Sequence, residues 1–237
     1  RCVHSPKPTA SHRSTSCSRS SATRRSAGDV GLPALLAADC LNADACVIGE
    51  PTCSNDQYSV VVADRGSIWL TLAATGEAAH GSRPVLGDNA IDRLYGAVTT
   101  LRERFGQRKL DIDATVKPIL EESREYYAPT MGAERARELF AFPSTNLGTI
   151  EGGEAINSVP QPTTAEMDIR LGAGVQTPDV LSEIRKCVAT CDGVTLSEIS
   201  WSAGTAESPD SPLAEAVAST TEAVTDHRVC RRSATGG

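Results

Sequence analysis

Aromatic residues are scarce in this chain: three Phe, four Tyr and two Trp make up 4% of 237 residues. A hydrophobic core must therefore be assembled from Val, Leu, Ile and Ala. No apolar run reaches eighteen residues, so no membrane-spanning helix is expected. The first residues lack the apolar segment of a secretory signal. Lysine is nearly absent, with Lys7, Lys109, Lys117 and Lys186 the only ones among 23 basic residues. An acidic, Arg-rich and Lys-poor composition suits a chain kept soluble in high salt by a hydrated acidic surface. It is equally the composition of a GC-rich genome.

Eight cysteines are present, yet none forms the closely spaced, repeated pairs of a structural zinc site. Cys2 and Cys17 fall in the first segment, Cys40, Cys46 and Cys53 follow no CxxC spacing, and Cys187 and Cys191 lie four apart at a helix end. The expected state is free thiols in a reducing cytoplasm, with Cys46 a small core residue. Charge is uneven too. Residues 1–26 hold six Lys or Arg and no Asp or Glu, whereas the rest holds 17 basic and 30 acidic residues. A basic, Ser-rich, apolar-poor segment cannot pack a core, so 1–27 is expected to be a disordered tail. Such a tail can serve as a nucleic-acid or membrane-surface arm. The reading preferred is a truncated or frame-shifted start, with no nucleic acid and no membrane as partner.

The organising stretch runs from Ala43 to Pro84. Ala45–Ile48 reads as a buried strand that ends at Gly49 and delivers Glu50 and Pro51 at its C-terminal edge, where open α/β sheets place ligands. The run 58–63 (YSVVVA) is a second β-rich segment. In the next run Ile68, Leu70, Leu72 and Ala74 alternate with Trp69, Thr71 and Ala73, which predicts a strand with one buried face. Asp88 is a good helix N-cap, and Ile91, Leu94, Val98, Leu101 and Phe105 follow at helical spacing. Residues 109–127 are less regular and read as an insertion, with a short helix near 133–140. Strands are expected at 145–150, 163–171 and 194–200. Thr177-Pro178 is expected to cap and open a helix over Val180, Leu181, Ile184 and Val188. This β-α-(insertion)-β-β-α-β order is the split βαβ pattern of a ferredoxin-like sandwich. From Ser211 a final helix returns to the first domain. The fold class expected is α/β: an incomplete parallel-sheet domain (28–65 and 202–237) with an inserted α+β ferredoxin-like domain (66–201).

Gly49-Glu50-Pro51-Thr52, the strand after Gly66, and the run Gly76 to Pro84 with its Ala79-His80-Gly81-Ser82 stand in a fixed order. They are followed by Gly87-Asp88-Asn89-Ala90-Ile91 and by 145–170 (TNLGTIEGGEAINSVPQPTTAEMDIR). This series resembles the zinc-dependent amidohydrolases that include succinyl-diaminopimelate desuccinylase, acetylornithine deacetylase, aminoacylase and carboxypeptidase G. The likeness covers 35 to the end. It implies a parallel-sheet catalytic domain with an inserted lid that also pairs two subunits, one or two zinc ions, and a small N-acyl amino acid or peptide as substrate.

Four residues carry that implication. Glu50 alone would be an exposed strand-end carboxylate; the resemblance makes it a zinc ligand, with Pro51 holding its backbone extended. His80, by itself a surface loop histidine, becomes the lid histidine that reaches the partner subunit's site and donates to a developing oxyanion. Asn157 precedes Val159-Pro160, where Asn is common for local reasons; the resemblance gives it a substrate contact. Arg170 shares a strand face with Asp168, a plain surface ion pair. The resemblance makes its guanidinium the bidentate grip on the substrate carboxylate. The family's His-x-Asp motif, bridging Asp, Glu-Glu pair and distal His have no counterparts here, since the other histidines are His4, His12 and His227. Hydrolysis of an amide bond is therefore expected to be impaired in this chain. The alternatives are a non-catalytic dimerisation module, a degraded gene product, or an unrelated α/β ligand-binding protein.

Overall fold

A computed structural model describes residues 38–39, 44–49, 53, 57–109 and 111–236. The chain divides into two compact units, 1–51 and 52–237. In the first, residues 38–39 form a turn and 45–49 adopt no regular structure, with Val47 and Ile48 61% and 72% exposed. The buried strand expected at Ala45–Ile48 is thus not formed, and Cys46 is exposed rather than part of a core. A strand of Val and Ile is stabilised by cross-strand neighbours rather than by intrinsic preference, and no described residue ladders with this run. The basic tail, and Glu50 with Pro51 and Thr52, lie outside the described residues.

Among its described residues the second unit contains two sheets. A four-stranded antiparallel sheet has the order β3-β4-β2-β5, with β2 Gly66–Thr75, β3 Ser144–Gly152, β4 Pro162–Leu171 and β5 Val194–Ser202. Helices α1 (Ala90–Phe105) and α4 (Thr177–Val188) cover one of its faces. The alternation expected in β2 and β4 is present: Ile68, Leu70, Leu72, Ala165, Met167, Ile169 and Leu171 are all buried against Leu94, Val98, Leu101, Phe105, Val180 and Ile184. This is the ferredoxin-like arrangement. Asn89, not Asp88, caps α1, its Oδ1 accepting from the amides of Ile91 at 2.9 Å and Asp92 at 3.3 Å. Asp88 instead holds Arg93 through both carboxylate oxygens, and that ion pair keeps its carboxyl below the usual carboxylate range. At α4 the cap falls on Gln176, with Thr177 already helical and Pro178 in the first turn, where its missing N–H costs nothing.

A second, three-stranded sheet has the order β6-β1-β7, with β1 Tyr58–Asp64 between antiparallel β6 (Thr205–Ala206) and parallel β7 (Val229–Ser233). Helix α5 (Pro212–Thr225) precedes β7 and is capped by Ser211, as the sequence leads one to expect. The irregular stretch after residue 109 is more ordered than expected. It contains a fifteen-residue helix, α2 (Lys117–Met131), followed by α3 (Ala133–Ala141). Pro118 opens α2, and Ile119, Leu120, Ser123 and Tyr126 form its buried stripe. These helices pack on the three-stranded sheet, where Ile119, Leu120 and Phe140 join Val62, Ala63 and Ala214. The Ser123 hydroxyl accepts from the Ser233 amide at 2.8 Å. The Arg232 guanidinium lies 4.5 and 5.1 Å from the ring centroids of Tyr126 and Tyr127. No helix among the described residues is long and apolar enough to cross a membrane.

Candidate functional site

Beyond the last ladder pair of β2 and β4, Thr75 with Pro162, the two chains stay in antiparallel register. The Gly76 amide donates to Gln161 O at 2.8 Å, Val159 N to Ala79 O at 2.8 Å, and Gly81 N to Asn157 O at 2.6 Å, with His80 bridged to Ser158. Two loops far apart in sequence are thereby zipped together, and His80 and Asn157 become neighbours. The contact is tight: a Cβ at Gly81 would stand 2.9 Å from the Asn157 carbonyl carbon. Only glycine lets the backbones approach this closely.

The His80 ring is oriented from below. The Ser82 amide donates to Nδ1 at 3.1 Å, and Ser82 Oγ lies 2.8 Å from the same nitrogen. A backbone N–H can only donate, so Nδ1 is an acceptor and the proton of the neutral ring sits on Nε2. The ring is exposed. It therefore presents an N–H donor outward, on a loop whose shape is held by backbone bonds. Asn157 is exposed beside it.

Arg170 is not part of this cluster. It lies eight residues along β4 from Pro162, about 26 Å at the usual strand rise, and pairs with Ser67 of β2 and Ser144 of β3. Its Nε donates to both oxygens of Asp168, at 2.8 and 3.0 Å, so the strand ion pair exists. Residues opposite each other in an antiparallel ladder share a face. The sheet face turned away from α1 and α4 therefore carries a row Ser144, Arg170, Ser67, Ser202 and a second row Asn146, Asp168, Trp69, Ser200. Trp69 is half exposed on that face.

A residue that sequence reasoning passed over sits at the same end. Arg65 alone separates β1 from β2 and is 2% exposed. Its Nη2 donates to Arg170 O at 3.0 Å and Phe142 O at 3.4 Å. Burial, and then the charge of Arg170, lower its pKa to about 10, against a smaller opposing pull from Asp168. The available signal was a pair of adjacent charges, Asp64-Arg65, interrupting an otherwise β-rich run directly before a glycine.

Among the described residues no three His, Cys, Asp or Glu side chains converge on a point that could hold a metal ion. The donor set of a zinc centre is thus not gathered among the described residues.

A four-stranded antiparallel sheet covered on one face by two helices, with a histidine-bearing loop zipped to its far end, defines an α+β lid-type module. Residues 62–192 match the peptidase dimerisation domain of the M20 peptidases, and the chain belongs to this family. A probable carboxypeptidase of Aspergillus niger is 32% identical over 138 residues, covering 58% of this chain and 27% of that protein. A probable succinyl-diaminopimelate desuccinylase of Staphylococcus epidermidis is 33% identical over 129 residues, covering 52% and 29%. The match thus spans under a third of these relatives. Among solved structures, an M20 family metallo-carboxypeptidase from Sulfolobus solfataricus superposes with a TM-score of 0.60 at 16% identity, covering 76% of this chain and 48% of that one. The dipeptidase Dug1p of Saccharomyces cerevisiae gives 0.59 at 14% identity, covering 77% and 45%. These two share the fold.

Proposed function

We propose that the chain supplies the lid and subunit-pairing part of a metal-dependent amidohydrolase acting on an N-acyl amino acid or a small peptide. In this reading 66–201 is the lid, its inserted helices α2 and α3 docking back on the three-stranded sheet, and 28–65 with 202–237 belongs to the catalytic domain. The observation that carries it is the separation of two polar half-sites at opposite ends of one rigid sheet. His80 Nε2 donates a hydrogen bond to the oxyanion that develops as the amide carbonyl is attacked, a contribution worth about 3–4 kcal/mol in acyl transfer. Asn157 contacts the substrate beside it. Arg170, at the other end, pairs with the substrate carboxylate. Because the half-sites lie too far apart for one small substrate, His80 and Asn157 serve the site of a second copy while Arg170 serves its own. Homodimerisation follows from that division.

Zinc is the metal the resemblance implies, and Glu50 is the one position with a matching motif. A polypeptide of these 237 residues is accordingly proposed to be impaired in turnover. Metal analysis together with an amidase assay separates this reading from a dimerisation module that never catalyses. The reading is tested by exchanging 66–201 into a desuccinylase. The exchanged protein should hydrolyse an N-acyl amino acid, and His80→Ala in it should lower kcat at least a hundredfold. Full turnover by the His80→Ala protein would refute the assignment.

A further inference from the structure

The loop that carries His80 has no apolar anchor of its own. No residue from Glu77 to Asn89 is buried, and the short 3-10 helix Pro84–Leu86 within it has no buried member. Burial of large side chains is the usual way a segment is fixed; this loop is held by polar contacts instead. Its outgoing limb is the zipped one, joined to 157–161 through Gly76, Ala79 and Gly81. Its return limb, from Ser82 to Gly87, is closed at the base by two backbone bonds. Glu77 N donates to Asp88 O at 2.9 Å, and Asp88 N to Glu77 O at 2.8 Å.

Asp88 is where that base is fastened to the rest of the fold. Arg93 Nε donates to its Oδ1 at 2.7 Å and Nη2 donates to its Oδ2, a two-pronged contact that sets direction as well as distance. Arg93 stands on a rigid support: it lies early in α1, directly before the fully buried Leu94. Its guanidinium also reaches Asp192 at 3.3 Å. It lies across Gly193, where φ is +67° and a Cβ would overlap it. One side chain thus links the loop base to the turn between α4 and β5.

The state of the His80 ring depends on the return limb. The Ser82 amide is the donor that makes Nδ1 an acceptor, and Arg83 N donates to His80 O at 2.8 Å. With the base open, Ser82 is free to leave, and the neutral ring chooses its tautomer as a solvated histidine does.

We propose that Arg93 is a positioning residue for His80. By clamping Asp88 it holds the return limb against α1, which keeps the Ser82 amide on Nδ1 and the ring proton on Nε2. This rests on the proposed role of His80 as donor to the oxyanion and adds the residue that prepares it.

The experiment compares the full chain with Arg93→Gln and Arg93→Lys variants at mildly alkaline pH. It reads amide exchange and the imidazole 15N shifts, which report the two neutral tautomers. The His80 signals are assigned from their loss in His80→Asn, and the urea-unfolded chain supplies the tautomer balance of a free ring. In the unaltered chain the Nε2–H form should exceed that reference. Arg93→Gln should speed exchange of the Ser82 and Asp88 amides about fivefold and move the His80 balance to the reference, with the amides of β2 and β4 unchanged. Arg93→Lys, which keeps the charge, should stay within about twofold of the unaltered chain. Should Arg93→Gln not fold, Asp88→Asn, which removes the charge on the loop side, is expected to give the same two local changes. A merely structural role would speed the β2 and β4 amides as well and leave the ring tautomer in place, and that result overturns the inference. So does a folded variant with unchanged Ser82 exchange and tautomer balance, or an unaltered chain whose His80 shows the reference balance; both leave the donor role of His80 standing. Full turnover by a desuccinylase that carries 66–201 with His80→Ala refutes that role, and this inference with it.

Discussion

The two sheets of the second unit solve the problem of stability differently. The four-stranded sheet buries a continuous aliphatic layer against α1 and α4: Phe105, Ile68, Leu72, Leu94, Val98, Leu101, Ile169, Leu171 and Ile184 are all fully inaccessible. The three-stranded sheet has short ladders and a smaller apolar cluster. It is held largely by polar and aromatic contacts: Arg232 against Tyr126 and Tyr127, its Nη1 donating to the Tyr127 phenol oxygen Oη at 2.6 Å, and Ser123 against the Ser233 amide. Helices α2 and α3 are continuous in sequence with the first region yet pack on the second. A core of interchangeable aliphatic residues tolerates a shortage of aromatics. The smaller region instead concentrates the few tyrosines it has around one buried cation.

The largest expected effect that tests this contrast is in the aliphatic layer. Leu101→Ala, at a fully buried position, should lower stability by about 2–5 kcal/mol, read as a shift of the urea midpoint. A loss under about 1 kcal/mol would mean that this layer is not the main core.

Arg232→Met should cost less, about 1–3 kcal/mol, because it removes a buried hydrogen-bonded cation but leaves the aliphatic layer intact. Amide exchange should accelerate in β1, β7 and α2 and remain unchanged in β2 and β4. Uniform acceleration across both sheets would show that they unfold as one.

Cys230 gives a pH-dependent probe of the smaller region. Burial, and then the charge of Glu122, push its thiol up to about 12 from 9.0. Because the folded-state value is the higher one, the associated stability is fully present below pH 9 and is lost as pH rises through about 12. Its sulfur therefore stays protonated well above neutral pH, whereas the thiolate is the nucleophile. The exposed Cys46 and Cys53 should react with iodoacetamide well before Cys230 does. Equal rates would mean that the Cys230 environment is open in solution. The smallest effect is expected at His80, where His80→Asn on an exposed loop should change stability by less than about 0.5 kcal/mol.

What could be read from the sequence follows the same division. Period-2 alternation in β2 and β4 and helical spacing in α1 and α4 were plain, because each element buries one face in a continuous core. The caps fall one position away from those expected, at Asn89 because Asp88 is taken up by Arg93, and at Gln176 because Thr177 is already helical. Ala45–Ile48 looked like a strand because Val and Ile favour strands, but pairing cannot be read from one segment. Helix α2 was hidden by Pro118, Pro129 and a stripe that includes Ser123, whose burial makes sense only once β7 is beside it. At the site, His80 and Asn157 were legible as motif residues, though not their zipped contact. Arg65 escaped notice because its meaning depends on two carbonyls from distant elements.

In the proposed function one face of this molecule is completed by a second copy, which brings His80 and Asn157 to a site that Arg170 cannot share with them in a single chain. Sedimentation equilibrium of the full chain across a range of salt measures this most directly. A species of twice the 24.9 kDa chain mass is expected at tens of micromolar. A folded species that remains at 24.9 kDa under those conditions contradicts it.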